Sequence, residues 1–216
     1  MICNFVRTRV KICGITRIED ALVSVDYGAD ALGFVFHRSS RRYIEPERAR
    51  TIIEQLPPFI QTFGVFADEP TDAVLRVYKE SGVNTIQSMN VDRAFPGISP
   101  SSIIPVVRVG SDHEEREMES IPEDITVLLD TFVPGEKGGT GITFEWDIAK
   151  KFARRRRIIV AGGIRPENVS DLIACVRPYG VDVSSGVEES PGKKDHAKIA
   201  LFMKSVLTID EFIRGA

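Results

Sequence analysis

Eight short apolar runs, separated by longer stretches, are the feature that most constrains the fold of this 216-residue chain. They are rich in Val, Ile and Phe, and they are apolar at consecutive rather than alternate positions. Strands that are covered on both faces have this pattern, as in a parallel sheet. The runs occupy residues 10–13, 31–36, 62–66, 84–87, 103–109, 126–130, 158–161 and 180–184.

Segments with the period of an amphipathic helix alternate with these runs. Thr16 and Glu19 have the spacing of a capping box at the start of the first helix. Pro46 and Pro166 are predicted in the first turns of later helices, where a missing N–H is tolerated. The clearest apolar stripes, at i, i+3, i+4 and i+7, span residues 18–25, 49–56, 169–176 and 199–206.

The stretch between the fourth and fifth runs lacks this period. It contains Pro96, Gly97 and Pro100, which disfavour a regular helix. We therefore expect the fourth helix to be short or replaced by a loop.

Eight β-then-α units fit either a closed (β/α)₈ barrel or an open doubly wound sheet. The even spacing, the count of eight and a last helix after the last strand favour the barrel. No linker or change of composition separates two domains. We predict one barrel domain over residues 9–216, preceded by a short N-terminal extension over residues 1–8.

Composition and charge exclude several classes of partner. The net charge is −3 with both signs mixed along the chain, which disfavours a nucleic-acid or membrane partner. No apolar run approaches the roughly 18 residues of a membrane helix, so we expect a cytoplasmic protein. Cys3, Cys13 and Cys175 lack CxxC spacing, and the three histidines lack ligand spacing, so we assign no disulfide and no metal.

Two glycine turns at the ends of neighbouring strands predict a phosphate site. In a barrel of this kind the active site lies at the C-terminal ends of the strands, often with phosphate held by the last two loops. Gly162 and Gly163 follow the seventh run, and Ser185 and Gly186 follow the eighth. Glycines let backbone N–H groups approach an anion, and a following helix start adds a favourable dipole.

Cys13 and Asp130 close two of the apolar runs and are the candidates for acid–base chemistry. Cys13 precedes Gly14 and a helix start whose dipole can lower the pKa of a thiol, so a base or a nucleophile is possible. Inert core packing is the alternative for such a cysteine. Asp130 ends a strand, where a charge is costly without a role or a partner, and a partly buried carboxyl can donate a proton near neutral pH.

Other polar residues complete the predicted site. Arg42 follows the second run, and its planar fork suits a carboxylate or phosphate, although a solvated charge run is the ordinary alternative. Gln87 ends the fourth run, and Asp182 lies one position deeper in the eighth. Gly139 belongs to a glycine-rich loop that is either a flexible surface loop or a lid donating N–H groups to substrate.

At these residues the chain resembles the phosphoribosylanthranilate isomerase family, from Val10 to about Val206. The first and last of the matching blocks together are highly specific. The blocks are Lys11-Ile12-Cys13-Gly14-Ile15-Thr16, Gly33-Phe34-Val35-Phe36, Leu128-Leu129-Asp130-Thr131, Gly138-Gly139-Thr140-Gly141, Ala161-Gly162-Gly163 and Val181-Asp182-Val183-Ser184-Ser185-Gly186-Val187-Glu188.

The resemblance implies a (β/α)₈ barrel of the ribulose-phosphate-binding type and an Amadori rearrangement of N-(5′-phosphoribosyl)anthranilate, without cofactor or metal. It implies Cys13 as general base, Asp130 as general acid and Arg42 as the partner of the anthranilate carboxylate. The phosphate loops of the family correspond to Gly162, Gly163, Ser185 and Gly186. The expected partner is thus a small phosphorylated substrate. The sequence leaves a monomer and a homodimer both possible.

One block departs from the family. After the fourth strand the family reads Gln-Leu-His-Gly, whereas this chain reads Gln87-Ser88-Met89-Asn90. Two other functions stay open on this ground. One is an isomerase of a related aminosugar phosphate, as in histidine biosynthesis, although such enzymes are expected to pair two aspartates. The other is a binding protein that keeps only the phosphate site.

Overall fold

The computed structural model describes residues 7–89, 95–109, 114–130 and 142–215. Eight parallel strands close into a barrel in chain order, because β1 pairs with both β2 and β8. The predicted barrel is confirmed, with each strand within a residue or so of its apolar run. The strands are β1 (Arg9–Cys13), β2 (Ala31–Val35), β3 (Gln61–Phe66), β4 (Thr85–Ser88), β5 (Ile103–Arg108), β6 (Val127–Asp130), β7 (Ile158–Ala161) and β8 (Gly180–Val183).

Helices connect the strands and cover the outside of the barrel. Between β4 and β5 the described residues hold only a 3₁₀ helix at Pro100–Ser102, in agreement with the expected loss of a regular fourth helix. Asn90, the last residue of the block that departs from the family, falls outside the described residues. The helices are α1 (Ile18–Asp26), α2 (Pro46–Ile53), α3 (Thr71–Ser81), α4 (Glu114–Ser120), α5 (Ile142–Ala153), α6 (Val169–Val176) and α7 (His196–Gly215). Among the described residues, no helix is both long and apolar enough to cross a membrane.

Two apolar layers follow from the alternation of side chains along each strand. The larger layer lies between strands and helices and includes Ile12, Leu129 and Val181. The smaller layer fills the inside of the barrel. Its buried members are Ala31, Phe63, Ile104, Val106, Leu128, Ile159 and Ala161.

Two of the predicted helix starts are wrong. Helix α1 begins after Arg17 without a side-chain cap, and the hydroxyl of Thr16 instead donates a hydrogen bond to the Gly192 carbonyl. The hydroxyl therefore binds the loop beyond β8 and does not cap the helix. Pro46 opens α2 as predicted, but Pro166 lies in a turn before α6.

A small hairpin follows β8. A 3₁₀ turn at Ser185–Val187 leads into β9 (Glu188–Ser190), which pairs antiparallel with β10 (Lys193–Lys194). The hairpin therefore lies at the C-terminal end of the barrel, between β8 and α7.

The residues just before β1 contact the barrel. Thr8 donates its backbone N–H and its hydroxyl to the two oxygens of Asp210 in α7, at 2.7 and 2.8 Å. Arg7 forms an ion pair with Asp30. The division between an extension over residues 1–8 and a domain over residues 9–216 stays a prediction.

Gly64 in β3 is a position where packing requires glycine. A Cβ there would lie 2.9 Å from Phe66, 3.0 Å from Val83 and 3.1 Å from Phe36, all of them buried. We expect Gly64→Ala to lower the free energy of unfolding by about 1–3 kcal/mol, because it overpacks a filled core. Urea denaturation measures the change.

Gly215→Ala is the matched control, since nothing lies within 4 Å of its added methyl group. We expect this control to leave the free energy of unfolding unchanged or to raise it slightly, as alanine favours a helix. Equal effects of the two substitutions would contradict the packing argument.

Candidate active site

Polar side chains lie above the inner apolar layer, at the mouth of the barrel, by which we mean the end where strands β1–β8 finish. Lys11 and Cys13 alternate with outward-facing Ile12, so both face the inside of the barrel. Asp130 is two positions beyond inward-facing Leu128. The same alternation places a further pair inside, namely Gln87 and Asp182, both of which are buried.

Lys11 links Cys13 to Asp182 across the β1–β8 seam. Its ammonium lies 2.8 Å from Oδ2 of Asp182. The ammonium and the Cys13 sulfur both lie within 3.0 Å of the point that a Cβ on Gly33 would occupy, so the two groups are neighbours. The strand register pairs Lys11 with Asp182, so the two side chains meet without bending the sheet. All three side chains are buried.

The ionisation of these groups follows from burial and charge. Burial raises the pKa of Cys13, and the Asp182 carboxylate adds to this, while the ammonium groups of Lys11 and Lys194 act in the opposite direction. The pKa of Cys13 is therefore raised overall, and the lowering expected from the start of α1 stays a prediction. Burial alone lowers the pKa of Lys11, but the charges of Asp182 and Cys13 outweigh it and leave that pKa raised.

Arg42 lies beside this group and is held by Glu188. Its Nε and Nη2 donate to the two carboxylate oxygens at 2.9 and 2.7 Å, a bidentate pair. Glu188 also accepts a hydrogen bond from Lys194 Nζ at 3.0 Å. Burial by itself raises the pKa of Glu188, but the Arg42 hydrogen bond and the Lys194 charge hold it below its ordinary value.

Lys194 joins the two strands at the seam. Besides Glu188, its ammonium donates to the carbonyl of Cys13 at 2.6 Å and to that of Ser184 at 3.3 Å. Burial lowers the pKa of Lys194, even though Glu188 and Cys13 raise it. The ends of β1 and β8 thus share one buried cation.

Close approach explains two glycines of the mouth. A Cβ on Gly33 would lie 2.8 Å from the Cys13 sulfur and 3.0 Å from Lys11 Nζ. Gly14, with φ of 77°, would place a Cβ 2.6 Å from Cδ of Arg42. Both glycines make room for the polar side chains beside them.

The predicted phosphate loops lie against each other. Gly162 and Gly163 both have positive φ, and the Asn168 side chain donates to the Gly163 carbonyl at 3.0 Å. A Cβ on Gly186 would collide with the backbone of Ile164, so the turns after β7 and β8 are in contact there. Ser185 opens the short 3₁₀ turn.

The remaining predicted residues lie on the far wall or outside the described residues. Gln87 lies one residue before the end of β4 and Asp130 ends β6, and the carbonyl of Asp130 accepts a hydrogen bond from the Val109 N–H. Gly139 falls within residues 131–141, outside the described part of the chain. Oε1 of Gln87, Oδ1 of Asp182 and Oγ of Ser184 are buried and have no hydrogen-bond partner among the described residues.

Sequence reasoning gave no role to Lys11, Glu188 or Lys194. A signal for Lys11 exists, since a lysine two positions from Cys13 in an apolar strand must share its face. No local pattern marks Glu188 and Lys194, because the fold of the hairpin brings them to the mouth.

One further cluster has the residue types of a cation site. Nδ1 of His37 lies 2.7 Å from Glu69 and 3.6 Å from Asp68, after β2 and β3. The distance to Glu69 is that of an ordinary hydrogen bond, which accounts for the arrangement without a metal.

A closed barrel with buried acid–base groups at the C-terminal mouth and paired glycine turns after β7 and β8 defines the class of (β/α)₈-barrel enzymes. The sequence matches the family described as N-(5′-phosphoribosyl)anthranilate isomerase over residues 10–205. The chain belongs to that family.

Individual relatives and solved structures similar to this chain belong to the same family. The N-(5′-phosphoribosyl)anthranilate isomerase of Pelobacter propionicus is 46% identical over 197 residues, covering 91% of this chain and 94% of the relative. A solved phosphoribosylanthranilate isomerase in complex with reduced 1-(o-carboxyphenylamino)-1-deoxyribulose 5-phosphate is 40% identical, with a TM-score of 0.78 and coverage of 93% and 99%. Monomers of the dimeric isomerase of Thermotoga maritima are 38% identical, with a TM-score of 0.74 and coverage of 93% and 98%.

Glu188 is the carboxylate partner of two cations, the buried Lys194 and the half-buried Arg42, and replacing it leaves both without a carboxylate. We expect Glu188→Gln to lower the free energy of unfolding by about 3–5 kcal/mol at neutral pH. Because the folded pKa of Glu188 lies below its ordinary value, its stabilisation is present above that ordinary value and is lost as pH falls through the folded one. Urea denaturation at neutral and acidic pH should show the gap between wild type and variant narrowing in acid.

Glu189→Gln is the matched control. Glu189 pairs with Lys193 at 2.7 Å, but its side chain is 59% exposed. We expect a loss below about 1 kcal/mol from this exposed pair. An equal loss at both positions, or a gap at Glu188 that widens in acid, would contradict the assignment.

Proposed function

We propose that this chain catalyses the Amadori rearrangement of N-(5′-phosphoribosyl)anthranilate to 1-(2-carboxyphenylamino)-1-deoxyribulose 5-phosphate, a step of tryptophan biosynthesis. The observation that carries the proposal is Cys13, a buried thiol beside the ammonium of Lys11 at the mouth of the barrel. Asp130 ends β6, on another part of the same rim. Family membership supplies the substrate.

Asp130 is the general acid in this proposal. It protonates the ring oxygen of the ribose while the C1′–O bond breaks and the nitrogen lone pair forms a C1′=N bond. The furanose ring opens to a protonated Schiff base, and the ring oxygen becomes a hydroxyl group. A carboxyl at the end of an apolar strand is suited to this step because water is partly excluded there.

Cys13 is the general base. Its thiolate removes the proton from C2′, the C1′=C2′ bond forms, and the electron pair of the C=N bond returns to nitrogen. The enolamine then tautomerises, with a proton gained at C1′ and one lost from the C2′ hydroxyl, to give the ketone. Electrons balance within the substrate, so the proposal assigns no cofactor and no metal.

Binding groups surround these two residues. Because Nε and Nη2 of Arg42 face Glu188, its Nη1 edge is the one that can donate to the anthranilate carboxylate. The buried, unpartnered oxygens of Gln87 and Asp182 suit N–H and O–H donors of the substrate. We assign Gly139 a backbone contact to substrate, on the family resemblance alone.

The phosphate is assigned to the turns after β7 and β8. Gly162, Gly163, Ser185 and Gly186 carry backbone N–H groups, and three of the four have no Cβ to keep an anion away. The contact between the two turns at Gly186 supports a single site formed by both. We further propose that the protein works in the cytoplasm, where a free Cys13 thiol persists.

Turnover of phosphoribosylanthranilate, generated in situ from anthranilate and phosphoribosyl pyrophosphate, tests the proposal. We expect Cys13→Ala and Asp130→Asn each to lower kcat by about 10²–10⁴-fold, since each removes one proton-transfer group. Circular dichroism and thermal unfolding should show that both variants remain folded.

Cys175→Ala is the control for loss of a thiol, because Cys175 is a free cysteine on α6, away from the mouth. It should retain wild-type kcat. Near-wild-type activity of Cys13→Ala or Asp130→Asn would contradict that residue's role. Turnover of the aminoimidazole substrate of histidine biosynthesis by wild type, with none of phosphoribosylanthranilate, would favour the first alternative, and binding without turnover the second.

Sedimentation velocity would test the remaining prediction, that the chain is a monomer or a homodimer. The Thermotoga maritima relative is described as dimeric.

A further inference from the structure

Lys11 occupies a costly position that the proposed proton transfers do not use. Its side chain is 3% exposed, inside the barrel, in a strand whose other residues from Val10 to Cys13 are buried and apolar. An ammonium in such a place loses its hydration, and a buried ion pair often contributes no more stability than apolar side chains of similar volume. Stability alone is therefore a weak reason for this lysine.

The surroundings fix the lysine between two partners. Its ammonium lies 2.8 Å from Oδ2 of Asp182, on one side, and 5.3 Å from the centre of the Phe63 ring, with the Cys13 sulfur beside it. Gly33, beside it, leaves no space for a Cβ between the sulfur and the ammonium. The packing thus holds a cation against the thiol.

We propose that Lys11 is a positioning residue, the counter-ion that makes the thiolate of Cys13 accessible to the reaction. This inference rests on the proposed function, because it concerns the base of that reaction. Lys11 touches the base rather than the reacting carbon, so it acts through Cys13. Asp182 opposes it, since a second anion nearby disfavours the thiolate.

The other charged groups around Cys13 do not replace Lys11. Lys194 directs its ammonium to the Cys13 carbonyl, the Ser184 carbonyl and Glu188. Arg42 directs its fork to Glu188. Among the charged groups that face Cys13 in the described residues, Lys11 is the cation whose ammonium lies beside the sulfur itself, next to Gly33.

The titration of Cys13 without substrate tests the inference. Thiolate absorbance is measured against pH for each variant and for the same variant carrying Cys13→Ser, so that the difference isolates this thiol. The central comparison is Asp182→Asn against the double variant Lys11→Met/Asp182→Asn. Neither contains an unpaired buried carboxylate at position 182, and they differ only in the ammonium.

We expect the pKa of Cys13 to be about one to three units higher in the double variant than in Asp182→Asn, the range for one nearby opposite charge. Asp182→Asn alone should lower that pKa relative to wild type. A second comparison, Lys11→Gln against Lys11→Arg, keeps Asp182 in place and does not depend on the folding of the double variant. Arginine retains the charge and should hold the titration nearer to that of wild type.

The acid limb of kcat/KM reports the base of the free enzyme and should move with the thiol titration. If the pKa of Cys13 is the same within each of the two comparisons, the inference is overturned. Lys11 then has only a structural role, as the ion-pair partner of Asp182. Absence of turnover by wild type would instead overturn the proposed function, and the titration of Cys13 could still be measured. The two failures are therefore distinguishable.

Discussion

The ionic contacts at the seam between β1 and β8 are the constraint on which the site depends. A barrel closes only where its first and last strands meet, and here Lys11 of β1 meets Asp182 of β8 within the sheet register. Lys194 completes the junction from the hairpin by binding carbonyls at the ends of both strands. The contacts that join β1 to β8 therefore also position the Cys13 thiol.

The buried ions at the mouth lower the stability of the fold but give Cys13 a charged environment. Buried ammonium and carboxylate groups lose hydration that their mutual attraction only partly restores, and the glycines beside them contribute no apolar contact. In return, Cys13 lies in a region where water is scarce and charges act over short distances with little screening. The inner apolar layer below the mouth includes Phe63, Val106 and Leu128. Burial of this layer stabilises the folded barrel and offsets the cost of the polar mouth.

The repeating pattern was sufficient to predict the barrel, because eight buried strands and their helices depend on local periodicity. It also placed Cys13 and Asp130 correctly at strand ends and Asp182 one position deeper. The partners of these residues were not predictable, since Lys194 and Glu188 reach the mouth through a hairpin after β8. The predicted capping box at Thr16 was wrong because the Thr16 hydroxyl binds a carbonyl of that hairpin, which is also distant in sequence.

The sequence differs from the family at the end of β4, and the structure shows what the different residue contacts. Met89 stands where the family has histidine, two positions beyond inward-facing Gln87, and its sulfur accepts a hydrogen bond from Arg108 at 3.9 Å. Methionine does not titrate, so this position contributes no proton donor or acceptor to the mouth. The residues assigned as base and acid lie on β1 and β6. The charges that act on Cys13 come from β1, β8 and β10 and from Arg42 in the loop after β2. The substitution therefore alters a wall that can contact substrate, and leaves the acid–base groups on strands of their own.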